Sequence, residues 1–411
     1  MKFLSKDDPE VAELIKKEES RIENTIDLIA SENHSPRSIM EVLGSVFNTK
    51  TIEGYPGKRF HAGCIYADEV ENLAISRGKQ LFGAEYINVQ PHSGTSANLA
   101  VYFSVLEMGD RILAMSLPHG GHLSHGHRAS ITSRCFEFNH YGVNNKTELI
   151  DYDEVRELAH KFKPRMIVAG ASSYPRLIDY EKMAEIAKEV SSYLFTDMAH
   201  LGGLVAAKVI PSPVPHSDFV TFTCYKTMMG GRGGVILCKQ DYGKKIDSAI
   251  FPGCQGTSAV NLIVAKALIF KLAMEPEFVD IQKKTLENAA YLAKQLDKKG
   301  YRIVTGGTDN HQVLVDVTPK GLKGNAAEKF LEFVGVIANR NAIPSDSDSP
   351  GTVSGLRLGS SAVTSRGMGK PEIVKIADLI DAAMINHENK DVLDRVSKEV
   401  LELCKKFPVY S

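Results

Sequence analysis

Between Tyr86 and Cys238 short apolar runs alternate with helical stretches, and that alternation limits the fold more than any other feature. YINVQ (86–90), RILAM (111–115), RMIVAGA (165–171), YLFTDMA (193–199), DFVTFT (218–223) and GGVILC (233–238) are the runs. They are rich in β-branched and aromatic residues, whereas DEVRELAHKF (153–162) and YEKMAEIAKEV (180–190) are apolar at helical spacing. Strand following helix over such a length predicts an α/β domain with a mostly parallel sheet. Ahead of it, a helical pattern runs from Pro9 to about Ile29, apolar at Val11, Leu14, Ile15, Ile22 and Ile26. Beyond Pro276 the pattern changes to a long helix (277–299), strands at YRIVTG and HQVLVDV, and a helix at 370–386. The expected division is an N-terminal helical arm (1–34), a large domain (35–275) and a small α+β C-terminal domain (276–411).

The 411 residues suffice for two domains, and 24% charged with 43% apolar residues is ordinary for a globular chain. A formal charge of −1 gives no global field to draw in nucleic acid or an anionic membrane. The first residues carry acids and no apolar core of signal-peptide length, and no run nears the roughly 20 apolar residues of a membrane span. Six scattered cysteines without a CxxC pair read as reduced thiols of a cytoplasmic protein.

Ligands of open α/β sheets bind outside the carboxyl ends of the strands, so what each strand carries there matters most. YINVQ leads into PHSGTSAN, where Ser93, Gly94 and Thr95 open a helix. Such a turn is either an ordinary N-cap or a phosphate cup built from free N–H groups, two hydroxyls and the positive helix end. YLFTDMA ends in Asp197 with His200 beyond it, RMIVAGA leads to Ser172, and DFVTFT leads past Thr223 to Lys226. A phosphate cup, a carboxylate, a histidine and a lysine at four strand ends match pyridoxal 5′-phosphate (PLP). The aspartate would hold the pyridinium nitrogen charged and the lysine would bond to the cofactor aldehyde. The glycines of GGRGG after Lys226 let backbone approach the cofactor. Neither GxGxxG with a following acid nor GxxxxGK[ST] occurs, which removes the nucleotide reading.

HGGHLSHGH (119–127) holds four histidines in nine residues, yet no further Cys, Asp or Glu stands nearby at ligand spacing. No metal is expected; one imidazole, His122, would instead lie flat on the cofactor ring. In GTVSGLRLGSS (351–361), Arg357 offers a planar guanidinium suited to an amino acid's α-carboxylate.

LIASEN (28–33), EGYPGKR (53–59), QLFGAEY (80–86), VQPHSGTSAN (89–98), HGGHLSHG (119–126), DMAHLGGLVAA (197–207), FPGCQGT (251–257), GGTDNH (306–311) and SGLRLG (354–359) resemble serine hydroxymethyltransferase. The similarity runs from about residue 10 to 388. It implies a fold-type I PLP-dependent transferase, with a large domain built on a mostly parallel mixed sheet and a small α+β domain. It also implies a homodimer, possible as a tetramer, with active sites shared across the interface, moving a one-carbon unit between serine and tetrahydrofolate. By matching position, Lys226 is the cofactor-bonded lysine, Asp197 pairs with the ring nitrogen, His200 with the ring hydroxyl, and His122 stacks. Ser93, Gly94 and Thr95 hold the phosphate, and Ser172, Thr223, Thr51, Gly256 and Thr257 fall at cofactor positions. Ser31 and Arg357 match substrate-carboxylate positions, and Glu53, from the other subunit, is the acid–base group. Phe60, Leu117, Gly121, Leu123 and Asn341 match folate-contact positions.

Several positions depart from the family pattern. Thr51, Phe60 and His61 stand where the family usually has tyrosines, Tyr225 where it has histidine, Thr257 where it has glycine, and Gly231 where it has proline. These changes fall on the cofactor and substrate side. They keep open a divergent member acting on another β-hydroxy amino acid, such as α-methylserine or threonine, with His61 replacing a phenol as proton carrier. A non-catalytic cofactor- or partner-binding relative is a further alternative, opposed by Lys226, Asp197 and Arg357.

Overall fold

A computed structural model describes residues 3–344, 346 and 352–410; Gly351, at the head of GTVSGLRLGSS, lies outside them. The chain forms two compact units. One contains Ser35–Lys283; the other contains the chain through His34, Lys284–Ile343 and the C-terminal stretch.

The Ser35–Lys283 unit is built on seven strands: β1 (Tyr86–Asn88), β2 (Arg111–Met115), β3 (Glu137–Tyr141), β4 (Met166–Gly170), β5 (Tyr193–Asp197), β6 (Phe219–Thr223) and β7 (Gly234–Cys238). Their order is β1-β7-β6-β5-β4-β2-β3. Every pair from β6 to β3 is parallel, and only β7 runs against its neighbours. All five residues of β4, β6 and β7 are buried, as expected of strands covered on both faces, and this is why they read as continuous apolar runs. β3 was not expected. Its sequence EFNHY carries polar residues in half-buried positions at the sheet edge, so no apolar run announces it. The covering helices begin on acidic caps: Asp151 accepts N–H groups of Asp153 and Glu154, and Asp179 that of Lys182. Helix Ile65–Phe82 stops at Gly83, whose φ of +65° only glycine adopts cheaply.

The other unit holds a four-stranded antiparallel sheet, ordered Arg302–Ile303, Gln312–Asp316, Gly355–Gly359, Asn339–Asn341. Helices Gly324–Phe333, Lys370–Ile385 and Lys390–Lys406 bury their apolar faces in its core with Ile26 and Leu28. The stretch to His34, expected as a separate arm, belongs to this unit. Its helix is Pro9–Asn24, shorter than the pattern to Ile29, because Ile26 and Asp27 pair in parallel with Val336 and Ile337. Buried Arg366 gathers the carbonyls of Ile22, Glu23, Thr25, Cys404 and Phe407 and so ties this helix to the last one. Val11, Leu14 and Ile15, apolar positions of that helical pattern, are exposed in the single chain. The units part at Lys283, inside helix Pro276–Lys298 rather than ahead of it.

Candidate active site

One cavity opens at the carboxyl ends of β1, β4, β5 and β6, with about 600 Å³ of empty space counting its mouth. His92, Ser93, Gly94, Thr95, Asn98, His122, Ala171, Ser172, Asp197, Ala199, Thr223, Tyr225, Lys226, Arg232 and Gly233 line it. Ser93 caps helix Gly94–Val105 in a reciprocal pair with Ser96, which leaves the first-turn N–H groups of Gly94 and Thr95 as anion donors. Gly94 is required by proximity. A Cβ there would lie 2.7 Å from the Thr223 methyl group.

Asp197 is the electrostatic centre. Its Oδ2 accepts the Asn98 amide (2.8 Å) and pairs with His125 Nε2 (3.0 Å), while Oδ1 accepts the Ala199 N–H (2.9 Å). Burial pushes its carboxyl up, but the bond and charge of His125, helped by the Asn98 amide, outweigh this and hold it far below the usual carboxylate range. The Asn98 amide is itself fixed by the Thr221 hydroxyl (2.7 Å) and Ser124 (2.9 Å). Beside it, His122 Nδ1 meets the Ser124 hydroxyl at 2.7 Å. Burial lowers His122 to about 4, so its imidazole is neutral at neutral pH and its face is free of charge. The unfolded chain would protonate it near 6.5, so between pH 6.5 and 4 unfolding takes up a proton that the fold refuses, and stability falls with falling pH across that window. Urea denaturation of the apoprotein at pH 7 and pH 5 should show the loss, and His122→Phe should reduce it.

Lys226 sits in a tight turn after β6 and is 7% exposed. The turn is fastened by Met229 N–H to Lys226 O and Gly230 N–H to Cys224 O. Thr227 adds a hydroxyl bond to His200 O (2.9 Å), accepts the Gly203 N–H on that hydroxyl, and takes the Gln282 amide on its carbonyl. A lysine on so fixed a backbone presents its amine from one direction. Tyr225, in place of the family histidine, carries the Arg232 guanidinium over its ring at 4.5 Å.

Ser172 and Thr223 reach the cavity as expected; Ser172 N–H also bonds Gly120 O, and Thr223 its hydroxyl to Ala199 O. His200 is buried beyond Asp197 but is not among the lining residues. Thr51, Glu53, Phe60, His61, Gly256 and Thr257 do not line the cavity of their own chain either, and gather with one another. The Thr257 hydroxyl accepts Ile52 N–H (2.8 Å), a Cβ on Gly256 would stand 3.9 Å from Glu53 Oε1, and Phe60, 75% exposed, packs on Phe251. His61 and Thr51 are exposed, their carbonyls near the Cys64 thiol. Leu117 and Leu123 are exposed, and Gly121 is packed where a Cβ would strike Met115 O at 2.2 Å.

Ser31, Arg357 and Asn341 belong to the other unit. Arg357 is central in strand Gly355–Gly359 and donates through Nε to Asn339 (3.1 Å); burial lowers it to about 10. A Cβ on Gly359 would fall 2.4 Å from Ala30 Cα, so the segment carrying Ser31 lies directly on this strand. Asn341 ends the edge strand with its amide on Ala342 O (2.7 Å).

Of the four histidines in HGGHLSHGH, His119 accepts from Val143 N–H and His127 from Ala129 N–H. Only His122 and His125 come together with Asp197, their ligand atoms within 4.8 Å. These atoms are committed to Ser124, Asn98, Ala199 and one another, which suits an oriented carboxylate better than a cation. PLP fits the residues present: donors at a helix start for its phosphate, an ionised buried carboxylate for its ring nitrogen, a neutral imidazole wall, and a lysine. His125, Asn98 and Arg232 had no role assigned from sequence. Asn98 had a signal, since it is the polar position on an otherwise apolar stretch of its helix and a buried amide needs partners.

A sheet of this order with a lysine after β6 and a carboxylate at the end of β5 defines a fold-type I PLP-dependent transferase. Residues 4–380 match the family model for serine hydroxymethyltransferase, and the chain belongs to that family.

Proposed function

We propose that the chain interconverts serine and glycine with tetrahydrofolate as the one-carbon acceptor, as a homodimer whose sites are shared. The observation that carries this reading is the single cavity in which Lys226, the ionised Asp197, neutral His122 and the Ser93–Thr95 helix start converge. Bound PLP supplies the electron sink for breaking the serine Cα–Cβ bond. Asp197 keeps a proton on the cofactor's ring nitrogen, and the His125 and Asn98 bonds keep Asp197 ionised and aimed. Ser93, Gly94 and Thr95 would bind the phosphate, and the Lys226 amine would hold the cofactor at its aldehyde. Arg357 and Ser31 hold the substrate carboxylate. Glu53 moves the proton of the serine hydroxyl.

The shared site is supported by Thr51, Glu53, His61, Gly256 and Thr257 gathering outside their own cavity, beside exposed Phe60, Ile65 and Tyr66. Mixing Lys226→Ala and Glu53→Gln homodimers, each inactive, should restore about one quarter of wild-type activity, because half of the dimers would carry one intact site of two. No recovery would place Glu53 in the site of its own chain.

The reading as a whole is tested by serine cleavage with the PLP-loaded protein, with and without tetrahydrofolate, beside α-methylserine and threonine. Folate-dependent formation of glycine from serine, faster than turnover of the other two, is expected. Faster or folate-independent cleavage of α-methylserine or threonine would overturn the substrate assignment.

A further inference from the structure

The segment Val89–His92, between the end of β1 and the helix start, is buried through Pro91, yet of its backbone groups β7 takes only Pro91 O, through the Gly234 N–H. Side chains take others. Gln255 Nε2 (3.1 Å) and Ser258 Oγ (2.7 Å) donate to Gln90 O, and Gln255 Oε1 accepts His92 N–H (3.0 Å). The remaining two carbonyls go to one residue: Lys266 Nζ donates to Val89 O at 2.6 Å and to Pro91 O at 3.0 Å. Lys266 rises from helix Val260–Leu272 and is 1% exposed. Its tip lies under the second wall of the cavity, since a Cβ on Gly233 would come within 2.6 Å of Lys266 Cε. Pro91 O also accepts the Gly234 N–H (3.0 Å), and a Cβ on Gly234 would strike Ser93 O at 2.2 Å. The lysine therefore joins the glycine-rich loop after Lys226 to the segment that delivers Ser93.

Among the described residues no carboxylate bonds to this ammonium. Glu71, the nearest acid acting on it, is spent on Arg59 (2.5 Å) and Gln90 (2.8 Å). Burial lowers it to about 8, with only the Cys224 thiol and Glu71 opposing that. A buried cation bonded only to neutral carbonyls is costly, and an anion bound nearby would offset that cost.

We infer that Lys266 is a positioning residue of the phosphate subsite, which fixes the Val89–Ser93 and Gly233 walls and lends a buried positive charge to the cofactor's phosphate. This rests on the reading of Ser93–Thr95 as the phosphate cup. It is specific to the phosphate, so it separates from any general effect on the fold. Apoprotein is titrated with PLP and with pyridoxal, which lacks the phosphate, and thermal stability is recorded for each variant. Lys266→Met should weaken PLP binding about 10- to 100-fold, as loss of charge-assisted bonds does, while pyridoxal affinity changes less than about 3-fold. Lys266→Gln, which keeps one donor, should fall between, and it decides the matter by the same comparison if the methionine variant does not fold. Equal losses for PLP and pyridoxal, or no loss for either, would overturn the inference. Ser93→Asp/Thr95→Asp, which sets negative charge against the helix start, controls the underlying reading: if that variant keeps the wild-type preference for PLP over pyridoxal, the cup is wrong. If it loses the preference and Lys266→Met keeps it, Lys266 alone is wrong.

Discussion

Lys226→Ala is expected to lower steady-state turnover of serine by at least about 10³-fold while the variant still carries cofactor and amino acid through gel filtration. The lysine contributes one amine on a backbone fastened by Thr227, Gly203 and Gln282, so no neighbour on that turn substitutes for it. On the proposed reading, binding depends on other groups: the Ser93 helix start, Asp197 and His122. Removing the amine should therefore separate retention from turnover. The measurement is kcat beside the visible spectrum of the protein after desalting. Turnover within about 10-fold of wild type would show that Lys226 does not take the part assigned here.

Asp197→Asn should follow with a loss of about 10²- to 10³-fold in kcat. The amide has the volume of the carboxylate and can still accept from Asn98, so the cavity wall should survive. What disappears is the charge that favours a proton on the ring nitrogen. Two neighbours register the change: His125, which loses its carboxylate partner at 3.0 Å, and His122, whose protonated form Asp197 favours. The cofactor's absorption maximum should shift with kcat. A variant with unchanged spectrum and near-normal kcat would mean that ring protonation does not depend on this carboxylate.

Lys226, Asp197, Ser93 and Thr223 were legible because the strand-end rule needs only the apolar runs to be found, and those runs are buried strands. His125 and Lys266 were not, because their partners lie 72 and 177 residues away and no local pattern joins them, whereas Asn98 showed only as a polar break in an apolar helix, its partner 99 residues on. Strand β3 was lost for a different reason. Its edge position requires no apolar alternation, so EFNHY carries none. The helix expected to run to Ile29 failed where pairing with Val336 and Ile337 took over at Ile26, a tertiary choice that propensity does not contain. Glu53 was marked by the motif EGYPGKR and His61 by its departure from the family pattern just beyond it.

Every lining residue of the cofactor cavity comes from Ser35–Lys283, whereas Ser31 and Arg357 come from the antiparallel-sheet unit. On the proposed reading, the cofactor's socket and the hold on the substrate carboxylate are thus written in separable stretches of the gene. A mutagenesis library confined to Ser31 and Arg357 should yield clones that keep their yellow colour and bind amino acids weakly. One drawn across 89–98 and 223–234 should yield many colourless clones, so a plate screen by colour could sort the two kinds of lesion before any assay is run.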